Sequence, residues 1–174
     1  NGKTILGDGG GVCQVSTTLF RALLNAGMPI TERNQHAYRV HYYEDDPGPG
    51  IDAAIYTPNI DLKFKNDSGN YILIKTAVDR ANMQLTFELY GTSDGRVATI
   101  SKPVIVSQSS APEPLYQDDP SLPIGQTKQI DFSASGAVVY FDYKVTKNGE
   151  TLTDQRYKSN YRPWQAIFLR GTKV

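Results

Sequence analysis

Cys13 is the one cysteine of the chain, and it stands directly after Gly9-Gly10-Gly11-Val12, where an amphipathic stretch begins. A thiol at the point where a glycine loop turns into a helix is placed for nucleophilic chemistry. Unpaired N–H groups and the helix dipole favour negative charge on the sulphur, and the same N–H groups can hold an oxyanion. Thiol chemistry on an acyl group also needs a base within reach and a third group to orient that base. His36 and His41 are the available imidazoles. His36 opens the stretch after the helix, and Asp52 follows the Pro47-Gly48-Pro49-Gly50 turn, so a hairpin could set carboxylate beside imidazole. The order predicts Cys13 as nucleophile, His36 as base and Asp52 as its orienting group, with His41 on an exposed strand. Gly10, Gly11, Gln14, Ser16, Thr17, Glu32 and Arg33 form the expected substrate-binding surface. The plainer alternative for Cys13 is a buried small hydrophobe at a helix start. Ser16-Thr17-Thr18 either line a polar cleft or bond back to preceding carbonyls.

Other chemistries compete for the same residues. Glu32 with Asp52 or Asp61 would supply the acid and base of a glycosidase, although acidic residues on strands are most often solvated. A metal at Cys13, His36 and His41 lacks a fourth ligand and short paired spacing, so no metal and no cofactor is expected. Gly7–Gly11 is not a phosphate loop, because no Gly-Lys-Ser/Thr follows it. Eighteen basic residues balance eighteen acidic ones, which argues against a nucleic-acid stripe or a polybasic membrane patch. No apolar run is long enough to span a bilayer. A lone cysteine excludes an internal disulfide.

The elements that must position these residues begin with a helix over 13–26, read from Val12, Val15, Leu19, Leu23 and Ala26 at spacings of three and four. Gly27 and Pro29 stop it. Alternating stretches predict strands at 37–43, 51–56, 61–65, 71–77, 83–90 and 97–107, punctuated by Pro-, Gly- and Asn-rich turns. The first part is therefore expected to be α+β, one main helix packed on an antiparallel sheet. Residues 107–126 are rich in Ser, Pro and Asp and read as a connector. Strands at 128–133, 137–146, 151–158 and 165–169, with Asn148-Gly149 as a tight hairpin turn, predict a small all-β module.

Three resemblances add to this reading. Gly11-Val12-Cys13, the Gly27-Met28-Pro29 helix stop, His36-Ala37-Tyr38 and Asp52-Ala53 resemble the core of transglutaminase-like cysteine enzymes, which implies a transglutaminase-like or papain-like fold. GGGVCQVSTTLF at Gly9–Phe20, Glu32-Arg33 with His36, Gly50-Ile51-Asp52-Ala53, and Asp61-Leu62 with Phe64-Lys65-Asn66 resemble the VanW family. That family is associated with glycopeptide resistance and the bacterial cell wall. The resemblance implies an extracytoplasmic chain, in the wall or anchored through a segment before Asn1, with peptidoglycan or another cell-wall glycan as partner. Asp119-Pro120-Ser121-Leu122-Pro123-Ile124-Gly125, Tyr143-Lys144-Val145-Thr146, Asn148-Gly149-Glu150 and Gly171-Thr172 are similar to the G-five domain, thought to bind N-acetylglucosamine-containing glycans. The resulting layout is a VanW-like domain at 1–106, the connector at 107–126 and a G-five-like module at 127–174, whose start can lie within the connector. The expected activity is thiol attack on a peptide amide of peptidoglycan. The alternatives are a wall-binding module without turnover and a glycosidase built on Glu32.

Overall fold

The computed structural model describes residues 10–174. Its one α-helix among the described residues, α1, spans Val12–Asn25. Ser16, Thr17, Phe20, Leu23 and Leu24 form its buried face, leaving Val12 and Val15 outside at 47% and 45% exposure. The helix closes with Gly27 at φ 72°. Gly27 N–H donates to Leu24 O and Met28 N–H to Leu23 O, both at 3.0 Å, the paired bonds of a Schellman motif. Arg96 Nη1 donates to Gly27 O at 2.9 Å and holds this end in place.

The strands are β1 (Ile30–Glu32), β2 (Lys63–Phe64), β3 (Ile72–Asp79), β4 (Gln84–Gly91), β5 (Arg96–Ile100), β6 (Val104–Ser109), β7 (Leu115–Pro123), β8 (Thr127–Asp131), β9 (Gly136–Lys147), β10 (Glu150–Tyr161) and β11 (Ile167–Lys173). They form four small sheets: the β1–β2 and β3–β4 ribbons, a β7–β11–β8 sheet, and a sheet in which β9 pairs with β10 on one edge and with β5 and β6 on the other. Asn148 and Gly149, at φ 52° and 83°, make the tight turn between β9 and β10. Residues 107–126 hold the end of β6 and all of β7, which lies parallel to β11.

This architecture corrects the expected α+β core of transglutaminase-like or papain-like type. The chain is mostly strand, in sheets of few strands, and 37–43 and 51–56 do not pair as a hairpin. His41–Tyr43 form a single 3-10 turn instead. Residues 51–55 run without a ladder because their backbone groups are taken elsewhere. Arg21 donates to Ile51 O, Arg33 to Asp52 O and Thr17 to Ala53 O, while Ala54 N–H donates to Asn34 O. The buried face of the helix packs on the β9–β10 hairpin, which comes from the far end of the chain, and the helix also lies beside β4 and β5. Val139, Phe141, Tyr143 and Val145 alternate along β9 with at most 1% exposure. Phe141, Tyr143 and Val145 join Phe20, Leu24, Ile51, Ala53 and Tyr157 in one apolar cluster. Phe20 packs edge-on against Phe141 and Tyr157, with ring centroids 6.5 and 6.0 Å away.

Phe20 is therefore the contact through which helix and hairpin stabilise each other. Phe20→Ala is expected to cost about 3–5 kcal/mol in urea unfolding. Amides of β9 and β10 should lose hydrogen-exchange protection along with those of α1.

Candidate functional site

The segment Gly50–Ile55 is held between two pieces of chain. On the helix side, Ser16 Oγ donates to Ala53 O at 2.6 Å, and Thr17 Oγ1 accepts from Ala53 N–H at 3.1 Å. Cys13 Sγ donates to Ile55 O at 3.6 Å. On the other side stand Arg33, Asn34 and His36. Arg33 is 3% exposed in its side chain and uses the whole guanidinium: Nε to Asp52 O (2.6 Å), Nη1 to Ser159 Oγ (3.0 Å), and Nη2 to Gly50 O (2.8 Å) and Asp52 Oδ1 (2.9 Å). A lysine could not reproduce this fork of donors. Gly50 is required where it stands, since its φ is 102° and an added Cβ would meet Val139 Cγ1 at 3.0 Å.

Asp52 is the centre of the arrangement. Each carboxylate oxygen receives two donors: Arg33 Nη2 and Tyr161 OH (2.5 Å) on Oδ1, and His36 N–H (2.8 Å) and His36 Nδ1 (2.5 Å) on Oδ2. Burial pushes the Asp52 carboxyl up, but the bonds from His36, Arg33 and Tyr161 outweigh it and hold the group below its usual value. An acceptor-only carboxylate facing Nδ1 puts the proton of neutral imidazole on Nδ1 and leaves the lone pair on Nε2. The His36 ring lies 5.1 Å from the ring of buried Tyr43. Burial raises the Tyr43 phenol above its ordinary range, and the Tyr42 hydrogen bond and the charges of Tyr42, Cys13 and Asp52 push it the same way.

Cys13 is the second residue of α1, half-buried behind Gly11 at φ 88°. No side chain caps the helix start, so the N–H groups of Val12 and Cys13 carry no capping bond from a side chain, while those of Gln14 and Val15 donate to Gly11 O. Among the described residues no hydrogen bond joins Cys13 to His36. Gly10, Gly11 and Gln14 are exposed, and Gly9 lies outside the described residues. Ser16 and Thr17 are buried and bonded to Ala53 rather than turned to solvent. Thr18 Oγ1 bonds back to Gln14 O at 2.8 Å. Glu32 sits on β1 and is paired at 2.7 Å with Lys63, which lies 4.0 Å from Asp61. His41 is exposed.

Tyr161 and Ser159 escape the sequence reading, being 109 positions from Asp52 and from Gly50. The signal available is a serine on the buried face of β10, between Tyr157 and Tyr161, where the pattern calls for an apolar residue. Asp52→Asn leaves Arg33 without its charge partner and is expected to cost about 3–5 kcal/mol. Because the folded carboxyl lies below 3.8, its contribution is full above that pH and is lost as pH falls through the folded value. Urea unfolding of wild type and variant should therefore converge in acid and differ fully at neutral pH.

The chain matches the family model described as VanW like protein over residues 1–90. Protein YoaR of Bacillus subtilis is 35% identical over 101 residues, covering 58% of this chain and 32% of that protein. The vancomycin B-type resistance protein VanW of Enterococcus faecalis is 38% identical over 69 residues, covering 39% of this chain and 25% of that protein. The chain thus matches only a minor part of the length of either relative. Among solved structures, the IgA1 protease G5 domain aligns at TM-score 0.29 and 18% identity, over 45% of this chain and 92% of that one. The HP0197-G5 structure aligns at TM-score 0.22 and 17% identity, over 44% and 97%. Likenesses of this size assign no activity. The family match spans more than half of the 174 residues, and the chain belongs to the VanW family.

Proposed function

We propose that the chain works in the bacterial cell envelope, on the peptide part of peptidoglycan, by thiol chemistry at Cys13. One observation supports this above all. His36 is anchored through Nδ1 by a buried carboxylate, which leaves Nε2 as a base, and the sole thiol sits at an uncapped helix start on the same Gly50–Ile55 segment. In the proposed step His36 Nε2 takes the thiol proton, and sulphur attacks the amide carbonyl carbon. The N–H groups of Val12 and Cys13 receive the oxyanion. Collapse of the adduct breaks the C–N bond, His36 returns the proton to the leaving amine, and water or a second amine releases the acyl group from sulphur. Asp52 orients the imidazole throughout and stays ionised. Exposed Gly10, Gly11 and Gln14 border the place where the peptide would lie.

A second reading has its own support. Cys13 is bonded to Ile55 O and not to His36, which suits a rigid wall-binding cleft without turnover. Envelope location, and glycan binding by the C-terminal strands, belong to both readings. No helix among the described residues is long and apolar enough to cross a membrane.

Purified peptidoglycan incubated with wild type, Cys13→Ala and Glu32→Gln, with products separated by mass, tests the choice. Thiol chemistry predicts amide cleavage or transfer by wild type and Glu32→Gln, reduced at least about a thousandfold in Cys13→Ala. Equal activity in Cys13→Ala removes the thiol mechanism. Retention on peptidoglycan with no product from any of the three proteins supports the binding cleft.

A further inference from the structure

The family match ends at residue 90, yet the groups that complete the surroundings of Asp52 come from β10. Tyr161 is 4% exposed and its hydroxyl reaches Asp52 Oδ1 at 2.5 Å. Ser159, 1% exposed, accepts from Arg33 Nη1 and lies 3.4 Å from Gly50 O, to which it donates. A carboxylate has about four acceptor positions. Here two on Oδ1 are filled by Arg33 and Tyr161, and two on Oδ2 by His36 itself. Arg33 balances the charge, so what Tyr161 adds is direction: a second donor on Oδ1 fixes the plane of the carboxylate and keeps Oδ2 turned to His36 Nδ1.

We infer that the site is composite, with Tyr161 of the β9–β10 hairpin as the positioning residue that sets the orientation and tautomer of His36 through Asp52. This rests on the reading of His36 as the base, but it concerns the imidazole and not the thiol. The ionisable and charged groups facing the Asp52–His36 pair are Arg33 beside it, Arg21 from α1, Tyr43 from the 3-10 turn and Tyr161 from β10. Tyr161 is the tyrosine among them that donates to Asp52, and it can lose that donor with little change of volume and no change of charge.

Tyr161→Phe in the full chain tests the inference, with Tyr157→Phe as control. Tyr157 lies four residues earlier on the same strand, buried, and its hydroxyl has no partner. The readout is the imidazole nitrogen and proton NMR spectrum of His36 at neutral pH. Wild type and Tyr157→Phe should show a single tautomer with a protected Nδ1 proton. In Tyr161→Phe the Nε2-protonated form should appear, and exchange of the Nδ1 proton should accelerate about tenfold or more, as expected for losing a hydrogen bond to a charged group. A wild-type spectrum in folded Tyr161→Phe overturns the inference. Should that variant not fold, 3-fluorotyrosine at position 161 keeps the hydroxyl and strengthens the donor. The His36 Nδ1 proton resonance must then move, and an unmoved resonance overturns the inference equally. Alkylation of Cys13 by iodoacetamide, followed in the same samples, separates the two claims. A changed tautomer with an unchanged alkylation rate keeps Tyr161 as positioning residue and counts against thiol–imidazole coupling.

Discussion

The ion pair between Arg33 and Asp52 is almost wholly withdrawn from water, and the need to compensate both charges governs how the chain around it is laid out. Removing two such groups from solvent costs several kcal/mol each unless every donor and acceptor is satisfied. The protein meets that demand with backbone carbonyls at Gly50 and Asp52, a serine hydroxyl, a tyrosine hydroxyl and a histidine bonded twice. These partners come from the segment after β1, from the extended stretch at Gly50–Ile55 and from β10. The pair therefore ties three remote parts of the sequence to one point. The apolar cluster around Phe20, Phe141 and Tyr157 lies beside it, and Arg33 stands 5.5 Å from the centre of the Phe20 ring.

The helix is attached to the same point by another device. Ser16 and Thr17 cost helix propensity, yet their hydroxyls hold Ala53, next to Asp52. That attachment sets the helix start, and with it Cys13, at a constant place along the Gly50–Ile55 segment. The unusual hydroxyl run following the thiol is a latch between the helix that bears Cys13 and the extended segment that bears Asp52. The Schellman closure at Gly27, secured by Arg96, fixes the opposite end of the helix.

Local chemistry made much of this legible in the sequence. The helix, its glycine stop and the β9–β10 hairpin with its Asn-Gly turn follow from spacing and turn residues alone. The proximity of His36 and Asp52 was suggested by their order along the chain, although the route is different. A buried carboxylate receiving both the backbone N–H and the ring of His36 joins them, not a ladder between 37–43 and 51–56. Those strands failed because side chains, Arg21, Arg33 and Thr17 among them, claim the backbone groups a ladder would use. No local pattern reveals such competition. The covering of β9 is equally hidden: alternation shows that β9 has a buried face, but not that Phe20 and Leu24 are what covers it. Tyr161 lay furthest from view, its role depending on a contact across more than a hundred residues.

The central claim is that His36 acts on the thiol of Cys13 from the anchorage Asp52 provides. The pH dependence of iodoacetamide alkylation of Cys13, in wild type and in His36→Gln, tests it most directly. The account predicts that wild type reacts several-fold faster near neutral pH and that the two rates meet in alkaline solution, where the thiol ionises unaided. Superimposable profiles for the two proteins would contradict it.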